Sequence, residues 1–401
     1  MSFDYDVTIV GAGPIGSTLA YQLALEGLKV SLIDKKKVVG LPLQCAGIVN
    51  KRILDFNEIP NDLILNEAKG AYLHSQNNSL TVFKKETQAY IIDRVGLDQF
   101  LFNRAGEYAD TFLSSKVTGI DKKSGTVEFK SDSTLKKIKS RIIVGADGPL
   151  SLCSSKLDNK FEYYNASQYL VKVDKIREMS FVDLYAKADL FPGFVWVIPT
   201  YENIFRIGLF SRDDYKKQSE ILNDFLNKDF EYEDFEVLEK YKGKIPIYNK
   251  DNKLFEDRVL LIGDSAAQVK PTTGGGLLVG LESVQFAKEA ILDALDKIND
   301  GDDLEILSQS LANYQKSFED RFLQEFEYQF KVQKTLCTLS DDDLDYFFIK
   351  LKEKGADKLI SQYGDMDNQS KLVKEFIKRG LILSLLPKIH KSELARIWLL
   401  K

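Results

Sequence analysis

Residues 5–34 read YDVTIVGAGPIGSTLAYQLALEGLKVSLID, and this stretch limits the fold more tightly than any other. The β-branched, apolar run YDVTIV has the character of a parallel strand covered on both faces. It enters Gly11-Ala12-Gly13-Pro14-Ile15-Gly16, and a helix-like stretch follows. A second strand, KVSLI, ends at Asp34, 18 residues beyond Gly16. The order is strand, glycine turn, helix, strand, acid. Glycines allow a tight turn and close backbone approach to a pyrophosphate. The helix start offers free N–H groups and the positive end of a dipole. Asp34, with Lys35 beside it, stands where an adenosine ribose is bound. An acid there accepts ribose hydroxyls and disfavours the extra phosphate of NADP. The unit reads as dinucleotide-binding, with FAD and NAD both open on this stretch alone.

Two later segments end in the same way. Residues 141–148, RIIVGADG, are a short apolar strand closing on Asp147 and Gly148. Residues 258–282, RVLLIGDSAAQVKPTTGGGLLVGLE, are another buried strand, then Gly263-Asp264, then a glycine loop opening an apolar helix. Strands from three distant parts of the chain thus end in glycine and an acid. That distribution suits one elongated cofactor gripped at several points, whereas NAD is usually held by one contiguous half-fold.

The set GAGPIG, GADG and LIGDSAAQVKPTTGGG resembles the glutathione-reductase-type FAD superfamily, in its p-hydroxybenzoate-hydroxylase-like branch. The resemblance implies an α/β protein: a Rossmann-like FAD-binding fold, a β-sheet substrate domain and a helical C-terminal region. It implies FAD as the cofactor, with Gly11, Gly13, Ile15, Gly16, Asp34, Lys35, Asp147 and Gly148 among the residues that hold it. Asp264 would contact the ribityl or pyrophosphate region. Gly274, Gly275, Gly276 and Leu277 would place a helix N-terminus near the flavin N1–C2 carbonyl. The physics agrees, because a reduced flavin carries negative charge near N1 that a helix N-terminus stabilises. In Asp93-Arg94-x-x-Leu97-Asp98 the branch uses the arginine to reach the cofactor, so Arg94 joins the set, with Asp93 as the helix N-cap. Val117 stands where these proteins clasp the adenine with a backbone amide. No second GxGxxG marks an NAD(P)H site, which leaves NAD(P)H or another donor, such as a ferredoxin, to supply electrons.

Within the branch, two stretches point to the geranylgeranyl reductase family. Residues 38–50, VVGLPLQCAGIVN, resemble the loop in which that family carries a cysteine beside the isoalloxazine. The resemblance implies that Cys45, Ala46 and Gly47 lie at the flavin and that Cys45 takes part in the chemistry. A buried cysteine acting only as a small apolar side chain is the plain alternative. Residues 192–199, PGFVWVIP, lie between the Tyr-x-Trp-x-Phe-Pro strand of the reductases and the Trp-x-Trp-x-Ile-Pro strand of flavin-dependent halogenases. On a strand Phe194, Trp196 and Ile198 share one face, and Pro199 is expected to end it. Phe194, Trp196 and Pro199 then form a wall for an apolar substrate, or ordinary sheet core. Halogenases also need a lysine in a glycine-rich loop. The stretch 73–88 has Lys84 and Lys85 but no such loop. Asp-Asp-Asp-Leu-Asp at 341–345 also fits the reductases.

A chain of 401 residues is too long for one ordinary core. We expect a discontinuous FAD-binding domain from residues 1–70, 91–160 and 250–300. A substrate domain would use 71–90 and 161–249, read as strands with turns, and a helical region 301–401. The terminal segment 384–401, SLLPKIHKSELARIWLLK, mixes apolar residues and Trp398 with cations. It suits core packing, a cap over the pocket or contact with anionic lipid heads. A net charge of -5, with no basic stripe, excludes nucleic acid as the expected partner. With His74 and His390 the only histidines, no metal site is expected. Three cysteines fit a reducing compartment, and no signal peptide or membrane span is read. The expected activity is FAD-dependent saturation of geranylgeranyl (prenyl) double bonds on a lipid or diphosphate, in the cytoplasm with contact to the inner membrane face. A monooxygenase or halogenase of an aromatic or quinone, and a membrane-associated electron carrier, stand as alternatives.

Overall fold

The computed structural model describes residues 2–174, 178–298, 304–382 and 397–398. The helices among them are α1 (Pro14–Leu25), α2 (Arg94–Gly106), α3 (Leu152–Ser155), α4 (Tyr215–Lys228), α5 (Leu277–Ile298), α6 (Leu304–Leu336), α7 (Asp341–Glu353), α8 (Ala356–Tyr363) and α9 (Ser370–Lys378). The protein is a mixed α/β fold built on one largely parallel sheet and one largely antiparallel sheet.

The first sheet runs Phe255–Glu256, Val259–Leu261, Thr134–Gly145, Tyr5–Val10, Val30–Ile33, Asp110–Phe112. Its central pairs are parallel, with Val7 opposite Ile142 on one side and Val30 on the other. Val7, Ile9, Leu32, Ile142, Ile143 and Leu260 are fully buried. Cover on both faces explains why these strands read as unbroken apolar runs. Helix α1 packs on α2 and α5, and α5 packs on α6. A Cβ at Gly280 of α5 would come within 2.7 Å of the Ile15 side chain, so this glycine permits the α1–α5 approach.

The second sheet runs Phe235–Pro246, Tyr163–Val173, Ile204–Ser211, Val195–Tyr201, Phe181–Tyr185, Gly70–His74, Ser79–Phe83. Its two faces do different work. Tyr169, Val171, Val195, Val197, Phe205, Ile207 and Leu209 pack with Leu222, Phe225 and Leu226 of α4. Trp196, Ile198 and Phe210 point the other way, into a cluster with Tyr164 and Ile91. Helix α4 corrects the expectation of strands and turns throughout 161–249. Asp214 caps it by accepting from Lys217 N at 2.8 Å, and its apolar residues recur at helical spacing.

Pro199 corrects a second expectation. The strand does not end there but runs on to Tyr201. Pro199 pairs with Phe205, and the missing N–H is absorbed by a register shift between Pro199 and Tyr201. By the period of two it lies on the face of Val195 and Val197, opposite Trp196.

Residues described after 304 are helical, apart from the turns between helices. Helices α7 and α8 lie on the edge strand Ser79–Phe83. Asp345 of α7 ties down the adjoining hairpin by accepting from Ser75 Oγ, Asn77 N and Asn77 Nδ2. Trp398 packs with Leu339 and Leu344, and its Nε1 donates to Thr335 Oγ1 at 3.0 Å. The remainder of segment 384–401, His390 included, lies outside the described residues apart from Ile397. No helix among the described residues is long and apolar enough to cross a membrane.

Candidate active site

The glycine turn is shaped from below by its own chain. A Cβ on Gly11, which has φ of +108°, would fall 2.2 Å from Ala146 O, and one on Gly16 would fall 2.0 Å from Gly11 O. These two glycines let the strand ends and α1 meet. Gly13 and Gly148 instead face open space, with nothing within 4 Å of a Cβ. Gly13 is the N-cap of α1 and supplies no side-chain bond to the first turn. The helix start therefore leaves N–H groups free for an anion.

Gly13, Pro14, Ile15, Gly148, Asp264, Gly274, Gly275, Gly276 and Leu277 line one cavity of about 690 Å3. Cys45, Ala46, Gly47 and Arg94 line it beside them. So do Phe194, Trp196 and Ile198, whereas Pro199 does not. One space thus joins the glycine cradles, the cysteine loop and the aromatic wall. Free N–H groups at the start of α1, the second helix start at Leu277 and two glycines open to the cavity fit an elongated, doubly phosphorylated dinucleotide.

The remaining expected residues sit elsewhere. Asp34 accepts from Ala12 N and Lys36 N, both at 2.7 Å, and so braces the glycine turn. Lys35 is exposed, and its neighbour Lys36 lines the cavity. The Asp147 carboxylate turns into its own loop, accepting from Ser151 Oγ at 2.5 Å and Leu152 N at 2.7 Å. Burial raises its pKa against those bonds. Val117 lies in the strand Ser115–Asp121, which begins with Ser115 N donating to Asp34 O.

Asp264 and Arg94 bring opposite charges to the cavity beside the cysteine loop. Burial pushes the Asp264 carboxyl up to about 6, against the pull of Arg94. Arg94 is clamped by Asp98 through Nε and Nη2, at 3.1 and 3.0 Å. Burial alone would lower its pKa, but Asp98 and the neighbouring Cys45 thiol raise it, so the guanidinium stays charged. Among the described residues no group of histidines, cysteines and carboxylates could hold a metal ion.

The wall is apolar and braced. Trp196 is 9% exposed and meets Phe194 edge-on, with ring centroids 6.2 Å apart. A Cβ on Gly208 would come 2.5 Å from the indole, so that glycine makes room for it. Trp196 Nε1 donates to Gln168 Oε1 at 3.1 Å, and Gln168 Nε2 donates to Cys45 O at 3.3 Å. Ala68, Ala71, Leu73, Val82 and Leu184 extend the apolar lining.

The roof is the part that sequence reasoning missed. Residues 364–369, between α8 and α9, contribute Gly364, Asp365, Met366, Asp367 and Gln369 to the lining. Lys270 of the glycine loop donates to Met366 O at 2.9 Å and pairs with Asp367 at 2.5 Å. Arg52 pairs with Asp365 and Asp367, at 3.4 and 3.3 Å. Lys84 donates to Gly364 O at 2.7 Å. Glu325 accepts from Gln369 N and Ser370 N.

Comparison with known proteins places this architecture. The family model described as lycopene cyclase protein matches residues 6–333. The uncharacterized protein MJ1520 of Methanocaldococcus jannaschii is 30% identical, over 94% of this chain and 95% of that one. Digeranylgeranylglycerophospholipid reductase 1 of Methanococcoides burtonii is 28% identical, over 90% of each chain. The chain belongs to the lycopene cyclase protein family. Its fold is that of a geranylgeranyl bacteriochlorophyll reductase-like protein from Thermoplasma acidophilum, with a TM-score of 0.82 at 22% identity. That match covers 98% of this chain and 99% of the other.

Proposed function

We propose that this family member is an FAD-dependent reductase that saturates the double bonds of geranylgeranyl chains. Its substrate class is a prenylated lipid precursor of the archaeal type. The observation that carries the reading is the single cavity in which glycine cradles, Cys45 and a long apolar wall meet. Burying an alkyl chain against such a wall contributes about 0.8 kcal/mol per CH2. A wall of Phe194, Trp196, Ile198 and aliphatic side chains suits a prenyl chain better than an aromatic or quinone that must be held by hydrogen bonds.

Bound in this cavity, reduced FAD would supply the hydride for one alkene carbon, and the proton for the other would come from water or a donor near Cys45. The residues of the chain do the rest. The starts of α1 and α5 hold negative charge, Arg94 keeps a fixed cation beside the reacting region, and Phe194, Trp196 and Ile198 orient the chain. The roof at 364–369 excludes water. An external donor, such as a ferredoxin or NAD(P)H, returns the electrons. The same reading puts the protein in the cytoplasm with contact to the inner face of the membrane, where such a lipid is drawn from the bilayer.

The test is flavin reoxidation. FAD-loaded protein is reduced chemically without oxygen and mixed with a geranylgeranyl lipid. Loss of the reduced-flavin spectrum on adding lipid is the expected result. Reoxidation only by oxygen, coupled to oxygenation of an aromatic or quinone, would overturn the proposal.

A further inference from the structure

Arg206 breaks the apolar pattern of the strand Ile204–Ser211 and is only 5% exposed. Burying a guanidinium costs several kcal/mol unless its N–H groups are met. Here Nη1 donates to two backbone carbonyls, Ala46 O at 2.9 Å and Ile92 O at 3.1 Å, while Nε has no partner. Burial lowers its pKa, against the pull of Cys45 and Asp93. Two carbonyls offset only part of that cost, so stability alone does not account for an arginine here.

Its partners show what it holds. Ala46 follows Cys45, and Ile92 immediately precedes Asp93 and Arg94. Ile92 N also donates to Gly47 O at 2.8 Å. Arg206 therefore staples the cysteine loop to the strand that leads into the Arg94 helix. Gly47 has φ of +72°, and a Cβ on it would fall 1.9 Å from Arg206 Nη1. The loop closes on the guanidinium so tightly that only glycine fits. Gly47 N donates to Cys45 Sγ at 3.4 Å, so the stapled glycine also orients the thiol. Arg206 is absent from the lining of the cavity, so it acts through the loop and not on the substrate.

We infer that Arg206 is a positioning residue for Cys45. It holds the Cys45–Gly47 loop in place and keeps the thiol turned to the cavity. This rests on the reading of that cavity as an FAD-dependent reductase site.

Iodoacetamide labelling of FAD-loaded protein at pH 7.5, followed by peptide mass spectrometry, tests it. Exposed Cys337 serves as the internal reference. In Arg206→Gln, where the loop is released and the thiol turns out of the cavity, Cys45 labelling should slow roughly five- to tenfold relative to Cys337, while Arg206→Lys, which can still donate to the loop carbonyls, stays within about twofold of wild type. For lipid reduction kcat should fall in Arg206→Gln with KM unchanged. Should Arg206→Gln fail to fold, Gly47→Ala, which drives the guanidinium off the loop, should slow labelling in the same way. Unchanged labelling in the folded variants, or an equal loss in the Gln and Lys variants, would overturn the inference. If wild type reduces no prenyl lipid, the proposed reaction fails, yet the labelling rates still decide the role of Arg206.

Discussion

Asp264 responds directly to what fills the cavity. Its carboxyl stands at about 6 because burial disfavours the charged form, with Arg94 opposing. Its folded pKa thus lies above the ordinary value of about 4 in the unfolded chain. The folded protein holds the extra proton, so this group favours folding at acid pH and loses that contribution as pH rises through about 6. Asp264 is only partly buried, which limits the effect to about 1–2 kcal/mol. In FAD-free protein, Asp264→Asn should raise the melting temperature at pH 7.5 and leave it nearly unchanged at pH 4.5. Equal shifts at both pH values would contradict this assignment. The wall residues make a separate prediction. Phe194→Ala or Trp196→Ala should raise KM for a prenyl lipid about tenfold, near 1.4 kcal/mol, with FAD affinity unchanged. Trp196→Ala should affect kcat as well, because its indole also orients Gln168 and through it Cys45 O.

At the scale of elements, the loop between α8 and α9 is the cover of the site. It is held to the glycine loop by Lys270 and to the segment after the cysteine loop by Arg52. Burial would raise the Asp365 carboxyl, but the N–H groups of Asp367 and Asn368, with Arg52 and Lys270, bring it below the usual range. That contribution is complete above the unfolded carboxylate value and is lost as pH falls through the folded one, so the cover should loosen below about pH 4. Lys270→Met removes one buried partner and leaves Asp367 to Arg52. The amides of residues 367–370 should then exchange roughly thirtyfold faster, about 2 kcal/mol, while those of α1 stay protected. Uniform exchange across both would show that the pair holds the whole fold and not the cover. Little of this element was legible in the sequence. Its residues GDMDNQS fall inside a stretch expected to be helical, and only tertiary packing sets them opposite Lys270, far away in the chain.

Across the molecule, legibility followed distance along the chain. The unit from Tyr5 to Asp34 was readable because one local run contains the strand, the turn and the helix that make the cradle. The GDSAAQVKPTTGGG stretch was readable for the same reason. Helix α4 was hidden because its apolar residues are few and it interrupts a long series of strands. Arg206 left one faint signal, a lone cation in the apolar strand IFRIGLFS, whose meaning depends on a loop distant in sequence. Pro199 misled because a proline usually closes a strand, and here a register shift lets the sheet continue past it. What unites these parts is the shared cavity, whose cofactor end and apolar end come from different sheets. The central claim is that this cavity brings a prenyl double bond to a reduced flavin. Its most direct test is the mass of a geranylgeranyl lipid recovered after incubation with FAD-loaded, reduced protein in the absence of oxygen. The account predicts a gain of two hydrogens for each double bond reduced, abolished when FAD is omitted. Lipid recovered at its original mass, from protein whose flavin is bound and reduced, would contradict it.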